Sequence, residues 1–274
     1  MKKILIAFDG NHFSNGAFDF ARKISKIEPI LLTGLFLPEV DYASLWSYSS
    51  AMNGPALVPV ASSENDTVQE TAISKFRQAC ESASIEYRVH KRLFDFTLPE
   101  LKKESSFSDL LIVGSQKFYE NLGTDQLNDF LRDTLHEMLC PIVVVPENYQ
   151  FPYTNILTYD GSPSSVFAIK QFAYLFPDMA KNDSVLLHVT HGLKSEIPEK
   201  LNITELTACH YPELNMLNLE IESTQEITNW LKRNPGSIVI SGAFGRSELS
   251  RLFKKSFVQE IIKEHCLPVF VAHR

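Results

Sequence analysis

The chain has 274 residues, 44% of them apolar and 22% charged, with 26 Lys+Arg against 33 Asp+Glu for a formal charge of −7. This is the balance of an ordinary folded chain, long enough for two domains. The charge excludes a global positive field for nucleic-acid backbones, and no apolar run approaches the roughly 20 residues that cross a bilayer, so neither a nucleic-acid partner nor a membrane span is expected.

Met1-Lys2-Lys3 followed by Ile4–Phe8 resembles the start of a signal peptide, but Asp9 cuts the apolar run short and the segment is read as a first strand. Short β-branched or apolar runs then alternate with stretches of helical period. In the first half strands are predicted at Lys3–Phe8, Ile30–Phe36, Glu86–Arg92, Leu110–Gly114 and Ile142–Val145, with helices at Ser14–Ile27, Thr67–Ala83, Leu98–Glu104 and Asn128–Leu139. Between them Pro38–Asp66 lacks a clear period; its Tyr42, Trp46 and Tyr48 favour a packed interface that could take a protein partner. In the second half strands are predicted at Ile156–Tyr159, Val185–Val189, Leu217–Ile221, Ile238–Ser241 and Val269–Val271, and helices at Ser164–Phe176, Thr224–Lys232 and Phe257–Glu264. The second helix of this half is shrunken to Glu199–Cys209, with Pro212 ending it.

The chain repeats itself once. Ile4–Phe8 with Asp9-Gly10 returns as Asn155–Tyr159 with Asp160-Gly161; Asp109–Gly114 returns as Ser237–Gly242, and Cys140–Val145 as Leu267–Ala272. Two α/β domains follow, each a five-stranded mainly parallel sheet covered by helices, spanning residues 1–148 and 153–274. An apolar closing strand at a sheet edge must be paired or covered. Four cysteines with no C-x-x-C spacing, Cys80, Cys140, Cys209 and Cys266, suit free thiols in a cytoplasmic setting, with Cys140 and Cys266 packing as small hydrophobes. His188, His191, Cys209 and His210 lie on separate segments and make no metal set.

In an open α/β sheet, ligands sit beyond the carboxyl ends of the strands where strand order reverses. Asp9 and Asp160 follow the first strand of each half; a carboxylate there accepts from a nucleoside or caps the following helix. A glycine-bearing loop opening onto a helix N-terminus suits phosphate. Gly242-Ala243-Phe244-Gly245 is followed by nine residues and then by Lys255-Ser256. This spacing resembles the nucleotide loop of the universal stress protein family, Gly-x-x-Gly, nine residues, Gly, then Ser or Thr, with Lys255 in the third glycine position.

With the paired Asp-Gly starts and Pro-led closing strands, the whole chain outside Pro38–Asp66 resembles a tandem universal stress protein. The resemblance implies the adenine-nucleotide hydrolase-like fold, strand order 3-2-1-4-5, and two halves packed as an intramolecular pseudo-dimer through their closing strands. The chain would then be a pseudo-twofold monomer or a homodimer. It implies ATP or another adenine nucleotide as ligand, with Asp160 and Val189 facing the adenosine part and Gly242, Gly245 and Ser256 the phosphates. Arg246 and Lys255 are added from the loop's charge. Gly242–Ser256 holds four basic residues and one Glu, whereas Gly114–Asp129 holds one Lys and three acidic residues. Lys117 also replaces the second glycine of the first half, so binding is expected in the second domain alone. Arg246, Arg251, Lys254 and Lys255 also read as a solvated helical face. The resemblance implies stress-response nucleotide sensing as the function; slow ATP hydrolysis is left open, with no nucleophile or general base visible to support it, and the alternatives are a nucleotide-independent scaffold of the same fold and a small-anion binder.

Overall fold

A strand buried on both faces reads as an unbroken apolar run, and β1 (Lys2–Phe8) is such a strand, with Ile4 to Phe8 at most 2% exposed. The computed structural model describes residues 1–8, 12–37, 63–91, 97–116, 129–191, 196–221, 224–242, 261–262 and 264–272. It divides into two compact units, Met1–Cys140 and Pro141–Arg274.

In the first unit β1 is followed by α1 (Asn15–Ile27), β2 (Ile30–Phe36), α2 (Ser63–Ser82), β3 (Glu86–Lys91), α3 (Thr97–Ser105), β4 (Leu110–Gly114) and α4 (Asp129–Glu137). The strands run parallel in the order β3-β2-β1-β4, with Phe8 beside Phe36 and Ile4 beside Leu110. Ser14 starts α1 by accepting from the Ala17 N–H at 3.2 Å, a cap worth about 1 kcal/mol. The face that α1 buries carries Ala17, Phe18, Phe20, Ala21 and Ile24.

The second unit contains β5 (Ile142–Val145), β6 (Thr154–Thr158), α5 (Pro163–Leu175), β7 (Asp183–His191), α6 (Lys200–Ala208), β8 (Leu214–Ile221), α7 (Thr224–Lys232), β9 (Ser237–Gly242) and β10 (Val269–Ala272). Its order is β5-β10-β9-β6-β7-β8. Only the β5–β10 pair among these is antiparallel, Phe270 lying opposite Val143. The apolar closing strands thus cover each other's edges, and β5 belongs by its contacts with the unit that contains β10. The remaining five strands, β8-β7-β6-β9-β10, reproduce the expected 3-2-1-4-5 order. Ser162 caps α5 by accepting from the Ser165 N–H at 3.2 Å, and Pro163 occupies the first turn, where its missing N–H costs nothing.

Most element ends fall within two residues of the sequence reading, and three elements call for comment. The helix expected from Thr67 starts at Ser63, inside the segment read as aperiodic; residues 38–62 of that segment lie outside the described residues. β8 starts at Leu214 rather than Leu217, because an edge strand with one half-exposed face shows too weak an apolar pattern to mark its beginning. Of the helix expected over Phe257–Glu264, Ile261 and Ile262 are helical, Glu264 is a turn, and the other positions lie outside the described residues.

Cys80 and Cys140 are buried, and burial pushes both thiols up to about 12; Cys209 is exposed, and Cys266, expected to be buried, is partly open. A thiol-specific reagent at neutral pH should therefore modify Cys209 rapidly in the native protein and reach Cys80 and Cys140 only on unfolding. Equal rates for Cys80 and Cys209 would contradict the packing around α2.

Candidate functional site

The C-terminal ends of β7, β6 and β9 are neighbours in the second unit, and β6 stands where the chain reverses its direction of travel across the sheet. Here the structure brings together Asp160, Val189 and Gly242. Asp160 follows β6 and is half-buried; its Oδ1 accepts from the Ser162 N–H at 2.9 Å, closing a turn ahead of the helix. The helix cap itself is Ser162, so the capping role that competed for Asp160 falls two residues downstream. Gly161 sits in that turn at φ +79°, and a side chain there would strike Pro198.

Gly242 ends β9 against the first turn of α5. A Cβ built on it would lie 2.5 Å from the Ser164 carbonyl carbon and 2.6 Å from the Ser165 nitrogen. The glycine is thus required by the approach of helix to strand before any ligand is considered. Val189 is buried at 4% exposure near the end of β7. Gly245, Arg246, Lys255 and Ser256 lie outside the described residues, as does Asp9 in the first half.

Two residues given no binding role by the sequence reading complete the strand ends. The Tyr159 ring is buried and its hydroxyl donates to the Pro198 carbonyl at 2.9 Å; burial above all, then Glu199 and Asp160, raises its pKa. His188, 6% exposed, lies beside Tyr159, and its Nδ1 is 2.9 Å from the Tyr159 carbonyl oxygen. A carbonyl only accepts, so Nδ1 carries the proton and Nε2 is the nitrogen left over, with no hydrogen-bond partner among the described residues. A histidine three residues before the end of an apolar strand was the available signal. No group of three or more His, Cys, Asp or Glu side chains among the described residues could hold a metal.

The equivalent strand ends of the first unit are filled with rings. Phe8, in the place of Tyr159, stacks on Phe36, in the place of His188, at 4.9 Å between centroids, and on Phe13 at 5.0 Å. Phe76 from α2 meets both Phe8 and Phe36 edge-on at 5.8 Å. Lys75 lies 4.5 Å over the Phe13 ring.

No family model matches the chain, and no curated protein does. Solved structures do match in fold. A universal stress protein from Archaeoglobus fulgidus is similar over 100% of this chain and 96% of its own, at a TM-score of 0.69 and 16% identity. A Pseudomonas aeruginosa protein provisionally assigned to the same family is similar over 100% of this chain and 93% of its own, at 0.59 and 11%. A functionally unknown protein from Pseudomonas aeruginosa follows at 0.58 and 11%, over 100% and 92%. The fold of this chain is that of the universal stress protein structures along its whole length.

Proposed function

We propose that this chain is a tandem universal stress protein whose second repeat binds an adenine nucleotide and whose first does not. The observation that supports this most is the meeting of Asp160, Val189 and Gly242 on three adjacent strand ends at the point where strand order reverses. In this reading Asp160 accepts from the adenosine part and Val189 packs beside it. Gly242, Gly245, Arg246, Lys255 and Ser256 serve the phosphates, in a segment with a net charge of +3 from Gly242 to Ser256. The stacked rings at the described strand ends of the first unit and the acidic sequence of Gly114–Asp129 favour the second repeat over the first. In this reading the protein acts by binding and signalling; among the described residues none at the strand ends is placed as a nucleophile.

The test is calorimetric titration of the full chain with ATP, ADP, AMP and adenosine. One nucleotide per chain is expected, with ATP tighter than adenosine. Asp160→Asn is the informative variant, because an amide oxygen can still accept from the Ser162 N–H while the charge is lost. It should weaken ATP roughly tenfold, the scale of one hydrogen bond to a charged group. Two sites per chain, or no ATP binding at millimolar concentration, would reject the reading. In the latter case a nucleotide-independent scaffold takes its place, a reading favoured by the packing that already explains Gly242.

A further inference from the structure

The two repeats treat the space between their first two helices differently. Aligned on their serine caps, α1 and α5 bury corresponding positions: Ala17 and Ser165, Phe20 and Ala168, Ala21 and Ile169, Ile24 and Phe172. In the first unit Phe76 of the 20-residue α2 fills the space, touching Phe8 at 5.8 Å and Phe18 at 6.2 Å and lying on Gly34. In the second unit Tyr159 and Val166 stand for Phe8 and Phe18, Leu186 for Gly34, and α6 has nine residues and supplies no ring. What remains between α5 and α6 is a cavity of about 520 Å³, walled by Tyr159, Val166, Phe167, Lys170, Ile203 and Leu206. This volume is within the range of small-molecule sites, and apolar side chains share the walls with Lys170, Gln171, Glu199 and Asn202.

Charge has changed in step. In α1, Arg22 and Lys23 are paired with Asp19, the latter at 2.8 Å. The cap alignment puts Phe167 in the place of Asp19, Lys170 in that of Arg22 and Gln171 in that of Lys23. Lys170, half-buried in the cavity wall, has no hydrogen-bond or ion-pair partner among the described residues. One carboxylate also lines the cavity, that of Glu199 at the start of α6, where it accepts from Asn202 Nδ2, another lining residue, at 2.9 Å. Lys170 lies seven residues along α5 from Pro163, roughly 10 Å at 1.5 Å per residue.

We propose that the cavity between α5 and α6 binds a small aromatic carboxylate, its ring against Phe167, Val166, Ile203 and Leu206 and its carboxylate on the Lys170 ammonium. An aromatic ring matches the Tyr159 and Phe167 rings of the wall, and an anion matches its unpaired cation. Asp160, Val189 and Gly242 do not line this cavity, but Tyr159 and Gly161 on either side of Asp160 do, so titration with and without ATP is what separates this proposal from the nucleotide reading.

The test titrates the full chain with 1-naphthylacetate and with its neutral counterpart 1-naphthylacetamide, by calorimetry, with and without saturating ATP. One site per chain is expected, with the acid at least tenfold tighter than the amide and with the same result in both conditions. In Lys170→Gln the acid should lose that tenfold advantage while the amide is unchanged. Val166→Phe, which restores the ring that α1 carries at this position, should abolish binding of both without lowering the melting temperature. Absence of saturable binding at millimolar acid would overturn the proposal. So would an acid-to-amide ratio that survives Lys170→Gln, a measure that holds even if Val166→Phe folds poorly.

Discussion

Gly242→Val is expected to destabilise the second unit by about 3 kcal/mol or more, whether or not nucleotide is present. Overpacking in a core that can relax costs about 1 to 3 kcal/mol. Here the added Cβ falls on the backbone of the first turn of α5 at 2.5 to 2.6 Å, so no side-chain rotation relieves the contact. The helix would have to lift from the end of β9, carrying with it Phe172, which packs edge-on to Phe270 of β10 at 5.3 Å. The sequence alone suggests that a side chain at Gly242 blocks phosphate. The packing shows that loss of ATP binding by this variant reports first on the fold, and Asp160→Asn is the cleaner probe of the ligand. Urea unfolding in the absence of nucleotide checks the expectation; a loss below about 1 kcal/mol would mean that strand and helix can separate there without cost.

How far the fold could be read from the sequence depended on what each strand buries. The interior strands β1, β2, β4 and β9 carry nearly continuous apolar runs because both their faces are covered, and their ends fall within a residue of expectation. The edge strand β8 has half-buried and exposed positions along most of its length and only Ile221 buried, so Leu214–Met216 carried no clear signal. At the site, Asp160 and Gly161 announced a turn after a strand, as short polar and glycine residues do. Which backbone group the carboxylate holds depends on the distance to Ser162, which no pattern encodes. Gly242 was found for one reason and is needed for another, since a spacing motif does not reveal that a helix turn occupies the place of its Cβ. His188 and Lys170 were missed for opposite reasons. One is a polar residue inside an apolar strand; the other is a lysine on a helix, where solvation is the ordinary state and only the loss of an acidic neighbour marks it.

Phe76→Ala should be the most costly single truncation in the first unit, at about 4 kcal/mol. The ring is fully buried and meets Phe8, Phe18, Phe36 and Tyr87 edge-on, with centroids 5.8 to 6.2 Å away. Phe→Ala changes in cores cost about 3 to 5 kcal/mol, and aromatic pairs contribute roughly 0.5 to 1.5 kcal/mol beyond area. The upper half of that range applies because the ring lies on Gly34, where no side chain can swing in, and because Phe8 and Phe36 are fixed to paired strands. Phe76→Leu refills most of the volume and should cost about half as much. Urea unfolding gives both values, and a loss under about 1.5 kcal/mol for the alanine variant would refute the packing of this cluster. The variant also separates space from charge. It opens in the first unit the room that the second unit keeps, but there Arg22 and Lys23 remain paired with Asp19. If the variant stays folded, its new cavity should take 1-naphthylacetamide at least as well as 1-naphthylacetate, the reverse of the preference expected beside Lys170.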